Sequence, residues 1–250
     1  VSLPDAFKKE LKKQITSTAI NNLIFTKFLI KLVNIFKKNR IFMMPFKGPV
    51  LSEIIYNDIT CRPFSDLDIL VNKKDAEFAF KILQDNGFIE QFKISQTAFK
   101  KYVNNENHFV FFNVKNKITI ELHWDIGGSY LSNELTANRF KKNICNRFIH
   151  GTQIPSLSYE ALFVYLCIHG SKHGWCNLEQ ICSVAELIKK DCMLNWKVVK
   201  SLSIKWKCNK MVKLGIYLSA VFLNAPIPDI FSSEIDKKHT FKQTEDLVLS

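Results

Sequence analysis

The sequence predicts a mixed α/β (α+β) fold, with a small mixed sheet and flanking helices followed by a helical C-terminal lobe. Two observations lead to this expectation. Up to about residue 125, helical and β-rich segments alternate in the order α, β, α, β, α, β, β, which predicts one small sheet with helices packed on it. After residue 128 the apolar residues recur at helical spacing only, and no convincing strand appears.

The chain begins with a long helical pattern. Between residues 5 and 39, apolar residues recur every three or four positions with lysines on the other side, which predicts an amphipathic helix. Residues 41–46 form a short apolar run that is typical of a buried strand and ends at Lys47-Gly48. Pro49 then suits the first turn of a helix over about residues 50–56.

Three β-rich segments follow. Residues 66–71 are predicted to form the second strand of the sheet. Residues 109–114 and 118–124 are separated by three polar residues, and this spacing is typical of an antiparallel hairpin. The hairpin therefore supplies the last two strands.

A second helix is predicted over residues 74–86, between the second strand and the hairpin. Phe78, Ile82 and Leu83 are expected on its inner face. Gly87 provides the usual C-terminal stop.

The second half of the chain has helical periodicity at residues 159–169, 178–189 and 196–223. We expect these helices to form a separate lobe with a loosely ordered end. The predicted organisation is N-terminal helices over 1–40, a core over 41–128 and the helical lobe over 129–250.

The charge balance permits a polyanionic partner. The chain has 250 residues, and 35 Lys and Arg against 23 Asp and Glu give a formal net charge of +12 at pH 7. Such an excess favours nucleotides, nucleic acid or an anionic membrane surface. The lysines are dispersed, however, and a solvated lysine-rich surface explains them better than a polyanionic partner does. Charge alone therefore does not identify the function.

The cysteines and the apolar segments predict a soluble, cytoplasmic protein. Seven cysteines form an odd set without a repeated short spacing, which favours reduced thiols. No signal peptide is recognised before the first helix. Lysines interrupt the apolar run at residues 20–36, so we expect no membrane-spanning segment and no membrane partner.

The segment most informative about function contains two aspartates, Asp66 and Asp68, on a predicted strand. Alternation along a strand places both carboxylates on one face, roughly 6–7 Å apart. Two carboxylates on a rigid strand suit a pair of divalent cations, and Mg²⁺ prefers such oxygen ligands together with substrate phosphates. Alone, an Asp-x-Asp pair is weak evidence, because many such pairs are the solvent face of an edge strand.

Two further features favour a metal site. Gly48 ends a strand and opens a helix, so backbone amides there can approach a triphosphate closely. The last predicted strand places its apolar residues on one face and leaves the other face polar. This polar face would complete a three-carboxylate site, with Glu121 as the third ligand or Asp125 as its competitor; its members are Thr119, Glu121, His123 and Asp125.

These motifs together resemble a known family. Lys47-Gly48 before a helix, Arg62-Pro-x-x-Asp66-x-Asp68-x-Leu-Val, Glu121-Leu-His-Trp and the His-Gly-x-x-His-Gly segment at residues 169–174 occur in one order. The chain is similar to bacterial nucleotidyltransferases of the DNA polymerase beta superfamily, and more narrowly to a branch that carries the His-Gly segment. The resemblance runs from about residue 12 to residue 190.

The resemblance implies a DNA polymerase beta-like catalytic core and a set of site residues. The active site is expected between this core and the helical lobe, and the lobe would bind the acceptor. Asp66, Asp68 and Glu121 would be catalytic residues that bind two Mg²⁺ ions, with Mn²⁺ as the alternative. The ions would hold the triphosphate of a nucleoside triphosphate such as ATP while an acceptor hydroxyl attacks and pyrophosphate leaves. Glu121 would also accept the proton of the acceptor. The implied nucleotide-binding residues are Lys47, Gly48, Arg62, Ser65 and His173.

The chain also departs from the superfamily pattern. Pro49 stands where a serine usually follows the glycine, so one donor to the phosphate is missing. Ser183 stands where relatives often have an aspartate, which removes an acidic role at that position.

Three classes of acceptor and one different class of function stay open. The acceptor is expected to be a small molecule or a protein side chain, and an RNA 3′ end is the third class. A catalytically silent nucleotide- or RNA-binding module with the same fold is the alternative to an enzyme. A zinc site at His169, His173 and Cys176 is disfavoured, because Gly170 and Gly174 interrupt the helix.

Overall fold

A computed structural model describes residues 3–127, 136–190 and 193–235, which divide into two units. The first unit contains the described residues of 3–126 and 136–156. The second contains Gly127 and the described residues from 157 onward. Each unit has its own secondary structure and its own core.

The first unit begins with helix α1, Asp5–Lys38, as the periodicity predicted. Phe25, Leu29, Leu32 and Phe36 are almost completely buried and recur at three- and four-residue spacing. The first 13 residues of the helix are largely exposed. Only its C-terminal part therefore contributes to the core.

Helix α1 is also long and apolar enough to cross a membrane, by length and composition alone. An 18-residue window has a mean hydropathy of 1.4, and 39% of that window is buried in the protein. No such segment was predicted from the sequence, but Lys27 and Lys31 do not lower the mean hydropathy of the helix enough to exclude one. Core helices of soluble proteins pass the same test, so this is weak evidence for a membrane span.

The five-stranded sheet has the order β1-β2-β5-β4-β3, and its strands pair in both directions. Only β2 and β5 pair in parallel; β1 with β2, β5 with β4 and β4 with β3 pair antiparallel. The predicted mixed sheet and the predicted β4–β5 hairpin are therefore confirmed. The strands are β1 Met43–Pro45, β2 Asp66–Val71, β3 Ile89–Glu90, β4 His108–Asn113 and β5 Ile118–His123.

Four further helices belong to the first unit: α2 Gly48–Tyr56, α3 Ala76–Asp85, α4 Gln96–Asn105 and α5 Ala137–Phe140. Strand β3 and helix α4 were missed in the sequence analysis. Strand β3 has only two residues, and helix α4 is mostly polar with Phe99 and Val103 as its buried residues. Ser95, whose side chain accepts a hydrogen bond from Ala98 N, was the available sequence signal for the start of α4.

One predicted core residue of α3 was wrong. Phe78 is 49% exposed, whereas Ile82 and Leu83 are buried as expected. The adjacent Phe80 takes the inner position and packs against Phe99, with ring centroids 4.5 Å apart. The helix is therefore rotated relative to the expected inner face.

A second, two-stranded sheet, β6 Ile144–Ile149 with β7 Thr152–Leu157, also belongs to the first unit except for Leu157 at the end of β7. The prediction of helices alone after residue 128 was therefore wrong, because β6 and β7 are strands. Most of β6 is partly or fully exposed and lacks an apolar alternation, and Pro155 within β7 argues against a strand. The turn places His150 and Gly151 at positive φ, which is typical of a tight hairpin.

The second unit is helical, with α6 Tyr159–Lys172, α7 Leu178–Lys189, α8 Trp196–Lys205, α9 Asn209–Leu223 and α10 Asp229–Ser232. The pattern over residues 196–223 was expected to be one helix. The structure breaks it between α8 and α9, where Lys207 adopts a φ of 56°. The predicted loosely ordered end at residues 236–250 lies outside the described residues.

Tight packing around Trp175 explains the glycine of the His-Gly segment. A Cβ atom on Gly170 would lie 2.5 Å from the Trp175 ring, and one on Gly215 would lie 2.7 Å from the Cys167 sulfur. The Trp175 indole is almost fully buried between α6, which contains Gly170, and α9, which contains Gly215. Gly170 of this motif is therefore required for packing within the second unit, because any larger residue would collide with the Trp175 ring.

Candidate active site

The parallel pairing of β2 with β5 brings the predicted carboxylates onto neighbouring strands. Asp68 is the register partner of Glu121, and Asp66 is the partner of Thr119. Parallel neighbours in register project their side chains to the same face of the sheet. Three carboxylates, Asp66, Asp68 and Glu121, are thus grouped on one face of the first unit.

Asp68 is the most deeply buried member, with only 2% of its surface exposed. The Lys47 ammonium lies 2.8 Å from Asp68 Oδ1 and forms an ion pair with it. Burial acts to lower the pKa of Lys47, but Asp68 outweighs burial and raises the pKa above its ordinary value. Lys47 therefore stays charged and is the principal counter-ion of Asp68.

His123 bridges the two register partners. Its Nε2 lies 3.3 Å from Asp68 Oδ1 and 3.1 Å from Glu121 Oε2. The imidazole ring contacts Phe46 edge-on and stacks on His108, with ring centroids 5.1 Å and 5.0 Å away. These ring contacts restrict the imidazole on both sides, so its nitrogen is held at the carboxylates.

The three carboxylates differ in their pKa values. Burial, and then the charge of Asp68, raise the pKa of Asp66 to about 6, although Lys47 and Arg62 partly oppose this. Burial also acts to raise the pKa of Asp68, but Lys47 and His123 outweigh it and hold the pKa below its ordinary value. The contact with His123 lowers the pKa of Glu121. The site therefore holds excess negative charge. Asp66 is the carboxylate whose ionised form is least favoured, because it is the only one of the three with a raised pKa.

The side chains at this site fit a divalent metal ion. Asp68, Glu121 and His123 each offer a ligand atom, and these three atoms lie within 4.8 Å of one another. Asp68 Oδ2 is buried and has no hydrogen-bond partner among the described residues, as expected of an oxygen that serves a cation. Asp66 lies two residues away on the same strand but is not one of the three.

The N-terminus of α2 lies beside the carboxylates. Gly48 adopts a φ of 59°, and a Cβ on it would lie 3.5 Å from the Asp66 carbonyl oxygen. The glycine is therefore favoured by backbone conformation rather than by lack of space. Pro49 occupies the first turn of the helix and offers no backbone N–H, as the sequence analysis noted.

The loop before β2 carries two further predicted site residues, Arg62 and Ser65. Arg62 is half-buried and close enough to Asp66 to oppose the rise of its pKa. Ser65 is exposed and directly precedes the first residue of β2. Both residues thus border the carboxylate face.

Asn22 in α1 holds this loop and was missed in the sequence analysis. Its side-chain nitrogen donates hydrogen bonds to the carbonyl oxygens of Ile59 at 2.9 Å and Arg62 at 2.7 Å. The residue is fully buried. The available signal was a polar residue on the apolar face of a helix, where burial requires a partner.

Two other predicted or competing residues are not in this cluster. Asp125 is buried and follows β5, but the three-residue ligand group does not include it. His173 belongs to the second unit, where it is exposed and its ring centroid lies 4.6 Å from that of His169. Its role in nucleotide binding stays a prediction.

Several cavities occur elsewhere among the described residues, and two of them are large. One of about 950 Å³ lies in the second unit and is lined in part by Glu160, Trp196 and Asp229. The other, of about 640 Å³, is lined by residues of α3 and α4 such as Phe78 and Phe99. Neither contains the clustered carboxylates. The carboxylate cluster therefore lies outside both of these cavities.

Comparisons with known proteins agree with the geometry. The profile of a family described as "Uncharacterised nucleotidyltransferase" matches residues 1–224. No curated protein matches the sequence significantly. Two solved structures of ANT(2″)-Ia are similar to the chain.

The first of these structures is ANT(2″)-Ia in complex with adenylyl-2″-tobramycin, with a TM-score of 0.51 and 10% identity over 74% of this chain and 97% of that chain. The second is a solution structure of the same antibiotic-resistance factor, with a TM-score of 0.47 and 12% identity over 80% of this chain and 92% of that chain. At such low identity the first structure supports the fold alone, and the family profile supports the assignment of the class. The chain therefore belongs to this nucleotidyltransferase family and is an enzyme of the nucleotidyltransferase class.

Proposed function

We propose that the enzyme transfers a nucleoside monophosphate from a nucleoside triphosphate to an acceptor hydroxyl, with release of pyrophosphate, in a magnesium-dependent reaction. One observation carries the proposal: Asp68 and Glu121 are register partners on parallel strands, with Asp66 on the same face. Clustered buried carboxylates repel one another and destabilise a fold unless cations offset their charge. A site for divalent cations accounts for this arrangement.

Asp66, Asp68 and Glu121 are the residues that would hold two Mg²⁺ ions, or Mn²⁺ in their place. When bound, the ions supply positive charge that neutralises the triphosphate and stabilises the departing pyrophosphate. Asp68, which is almost fully buried, would serve as the fixed ligand. Asp66, with its pKa raised to about 6, would gain the most from a bound cation.

The triphosphate would lie against the positively charged side of the site. Lys47 and Arg62 supply cationic side chains there, while Gly48 lets the backbone at the start of α2 approach closely. Ser65 adds an exposed hydroxyl before β2. These four residues would orient the α-phosphate for attack.

The chemical step is an in-line displacement at the α-phosphorus. The acceptor oxygen forms a bond to this phosphorus, and the bond from the phosphorus to the oxygen that bridges to the β-phosphate breaks. Pyrophosphate leaves with the bonding electron pair, and the acceptor proton passes to Glu121. We assign this role to Glu121 because its side chain is 30% exposed whereas that of Asp68 is 1% exposed, so the acceptor can reach it.

We expect the acceptor hydroxyl to belong first to a small molecule or to a protein side chain. The fold shared with ANT(2″)-Ia, whose structure holds adenylyl-2″-tobramycin, supports a small-molecule hydroxyl as the first class to test. The net charge of +12 keeps an RNA 3′ end as the third class.

Thermal stabilisation by nucleotides tests this proposal. We expect one of ATP, GTP, CTP and UTP to raise the melting temperature of the wild type only when Mg²⁺ is present. The Asp66→Asn/Asp68→Asn variant should lose this stabilisation while retaining side-chain volume. Release of pyrophosphate should then identify acceptors among candidate hydroxyl compounds and proteins.

Asp85→Asn is the matched control, because Asp85 is an exposed carboxylate at the end of α3. It should respond to nucleotide as the wild type does. Equal stabilisation of the wild type and the double variant, or no response to any nucleotide, would contradict the proposed function. RNA binding without a need for Mg²⁺ would then favour a binding module.

A further inference from the structure

We infer that His123 is itself a metal ligand, through Nε2, to the ion held by Asp68 and Glu121, and that this ion position therefore prefers Mn²⁺ to Mg²⁺. The inference rests on the proposed function and deepens it by naming the metal at one of its two positions. It also gives the His123 imidazole a role, whereas a metal site made only of carboxylates would not need this side chain.

The spacing of the three ligand atoms fits one shared ion. Adjacent ligands of an octahedral ion with bonds of about 2.1 Å lie about 3.0 Å apart. Nε2 lies 3.1 Å from Glu121 Oε2 and 3.3 Å from Asp68 Oδ1, so both separations are close to this value. The ligand atoms of the three residues all lie within 4.8 Å of one another, so one ion could contact all of them after the side chains adjust.

The environment of Nε2 also favours a shared cation. A single N–H group makes one well-directed hydrogen bond, whereas Nε2 faces carboxylate oxygens of two residues at similar distances. Asp68 Oδ2 is buried without a hydrogen-bond partner among the described residues. A metal ion at this position would contact both carboxylates and the imidazole at once.

The ring of His123 is held in place for ligation. His123 pairs with Leu70 of β2 on one side and with His108 of β4 on the other. Phe46 packs edge-on against the ring, and only 13% of the side chain is exposed. A ligand restricted in this way loses little conformational freedom when the ion binds.

A nitrogen ligand changes the choice of metal. Mg²⁺ is a hard ion that prefers oxygen ligands and retains its water molecules, whereas imidazole suits the first-row transition ions. Two carboxylates and one imidazole therefore form a mixed ligand set that favours Mn²⁺ more than a set of carboxylates does.

The test compares Mn²⁺ and Mg²⁺ affinities of the full chain without nucleotide. Free Mn²⁺ is measured by electron paramagnetic resonance, and Mg²⁺ affinity follows from its competition with Mn²⁺. In the wild type we expect Mn²⁺ to bind at least about tenfold more tightly than Mg²⁺. His123→Gln places an amide near the Nε2 position but removes the imidazole nitrogen, so this preference should fall by about tenfold.

His150→Gln is the matched control. It removes an exposed imidazole from the turn between β6 and β7, which is not part of the three-residue ligand group. It should keep the wild-type preference for Mn²⁺. If His123 only orients the carboxylates by hydrogen bonding, His123→Gln weakens both ions by the same factor, and an unchanged preference overturns the inference.

A spectroscopic measurement on the wild type makes the test independent of how well the variant folds. Electron spin echo of bound Mn²⁺ should show coupling to an imidazole nitrogen, and protein labelled with ¹⁵N-histidine should change that coupling. Bound Mn²⁺ without nitrogen coupling overturns the inference and leaves the proposed function standing. A wild type that binds neither ion, with no stabilisation by Mg²⁺ and nucleotide, overturns both.

Discussion

At the scale of single residues, the carboxylates of the site are in conflict with the stability of the fold. Asp66 is partly buried beside Asp68, and this raises its pKa from 3.8 to about 6. At neutral pH the ionised carboxylate therefore costs stability in the absence of a cation. Enzymes retain such groups because the bound cation and substrate offset the cost.

Asp66→Asn should stabilise the metal-free protein in a pH-dependent way. Because the folded-state pKa is raised, the folded protein holds more protons than the unfolded chain between about pH 4 and pH 6. The wild type thus loses stability as the pH rises through this window, and the asparagine does not. We expect the melting temperature of the variant to exceed that of the wild type by about 2–5 °C at pH 8 and to match it below about pH 4.

Thermal melts across pH, without metal, measure this difference. Adding Mg²⁺ and nucleotide should reverse the order at pH 8, because only the wild type binds them well. Asp85→Asn should show neither effect. A variant that is less stable than the wild type at pH 8 without metal would show that the ionised Asp66 carboxylate does not destabilise the fold.

Lys47→Met should destabilise the metal-free protein, and Mg²⁺ should partly restore its stability. The substitution removes the ammonium that lies 2.8 Å from Asp68 and leaves this buried carboxylate with His123 alone. We expect a loss of about 2–4 kcal/mol in the free energy of unfolding without metal. Mg²⁺ should recover part of this loss, because a divalent cation can replace the missing charge.

Urea denaturation with and without Mg²⁺ measures both effects. Lys189→Met is the control, because Lys189 forms an ion pair of the same 2.8 Å length with Glu186 on the exposed surface of α7. That change should cost less than about 1 kcal/mol. Equal stabilisation of Lys47→Met and the wild type by Mg²⁺ would argue against a cation site at Asp68.

At the scale of secondary-structure elements, helix α1 positions the loop that precedes β2. Asn22 donates two hydrogen bonds to carbonyl oxygens of this loop, and Ser52 of α2 donates a third to Asp58 O. The loop carries Arg62 and Ser65 toward the carboxylates. An irregular segment is thereby held by buried side chains of two helices.

Asn22→Ala should therefore weaken both stability and nucleotide binding. It leaves the carbonyl oxygens of Ile59 and Arg62 without these donors, which we expect to cost about 2–3 kcal/mol. The loop then becomes less ordered, so the KM for the nucleotide should rise more than kcat falls. Chemical denaturation and steady-state kinetics measure the two effects.

Asn21→Ala is the adjacent control. Asn21 also donates to the loop, at 3.1 Å to Phe64 O, but it is exposed to solvent. Its loss should change the stability by no more than about 0.5 kcal/mol. Similar effects of both substitutions would show that burial of the Asn22 contacts is not what holds the loop.

At the scale of the whole molecule, the net charge of +12 predicts that affinity for RNA is general and sensitive to salt. Single-stranded RNA should bind weakly, and its affinity should fall steeply between about 50 and 200 mM salt. Stabilisation by nucleotide and Mg²⁺ should change much less, because partly buried charges are screened less than exposed ones.

Fluorescence polarisation with a labelled oligonucleotide and thermal melts at the same salt concentrations test this expectation. RNA affinity that persists at high salt and requires Mg²⁺ would contradict it. Such a result would move an RNA 3′ end to the first place among the acceptor classes.

Local patterns in the sequence were sufficient for the main elements of the first unit. The long α1, strands β1, β2, β4 and β5, and helix α2 follow from periodicity and from turn residues. Patterns failed where the local signal was weak or misleading. Strand β7 contains Pro155, helix α4 is mostly polar, and the inner face of α3 was misjudged at Phe78.

By itself the sequence determined that Asp66 and Asp68 share one face of a strand and that Glu121 lies on the polar face of another. These relations depend on the alternation of side chains along a strand, which is a local property. Only the tertiary structure decided that the two strands pair in parallel with Asp68 opposite Glu121, and that Lys47 and His123 reach the same carboxylate. Strand register and contacts between distant residues depend on how the whole core packs, and no short window of sequence contains that information.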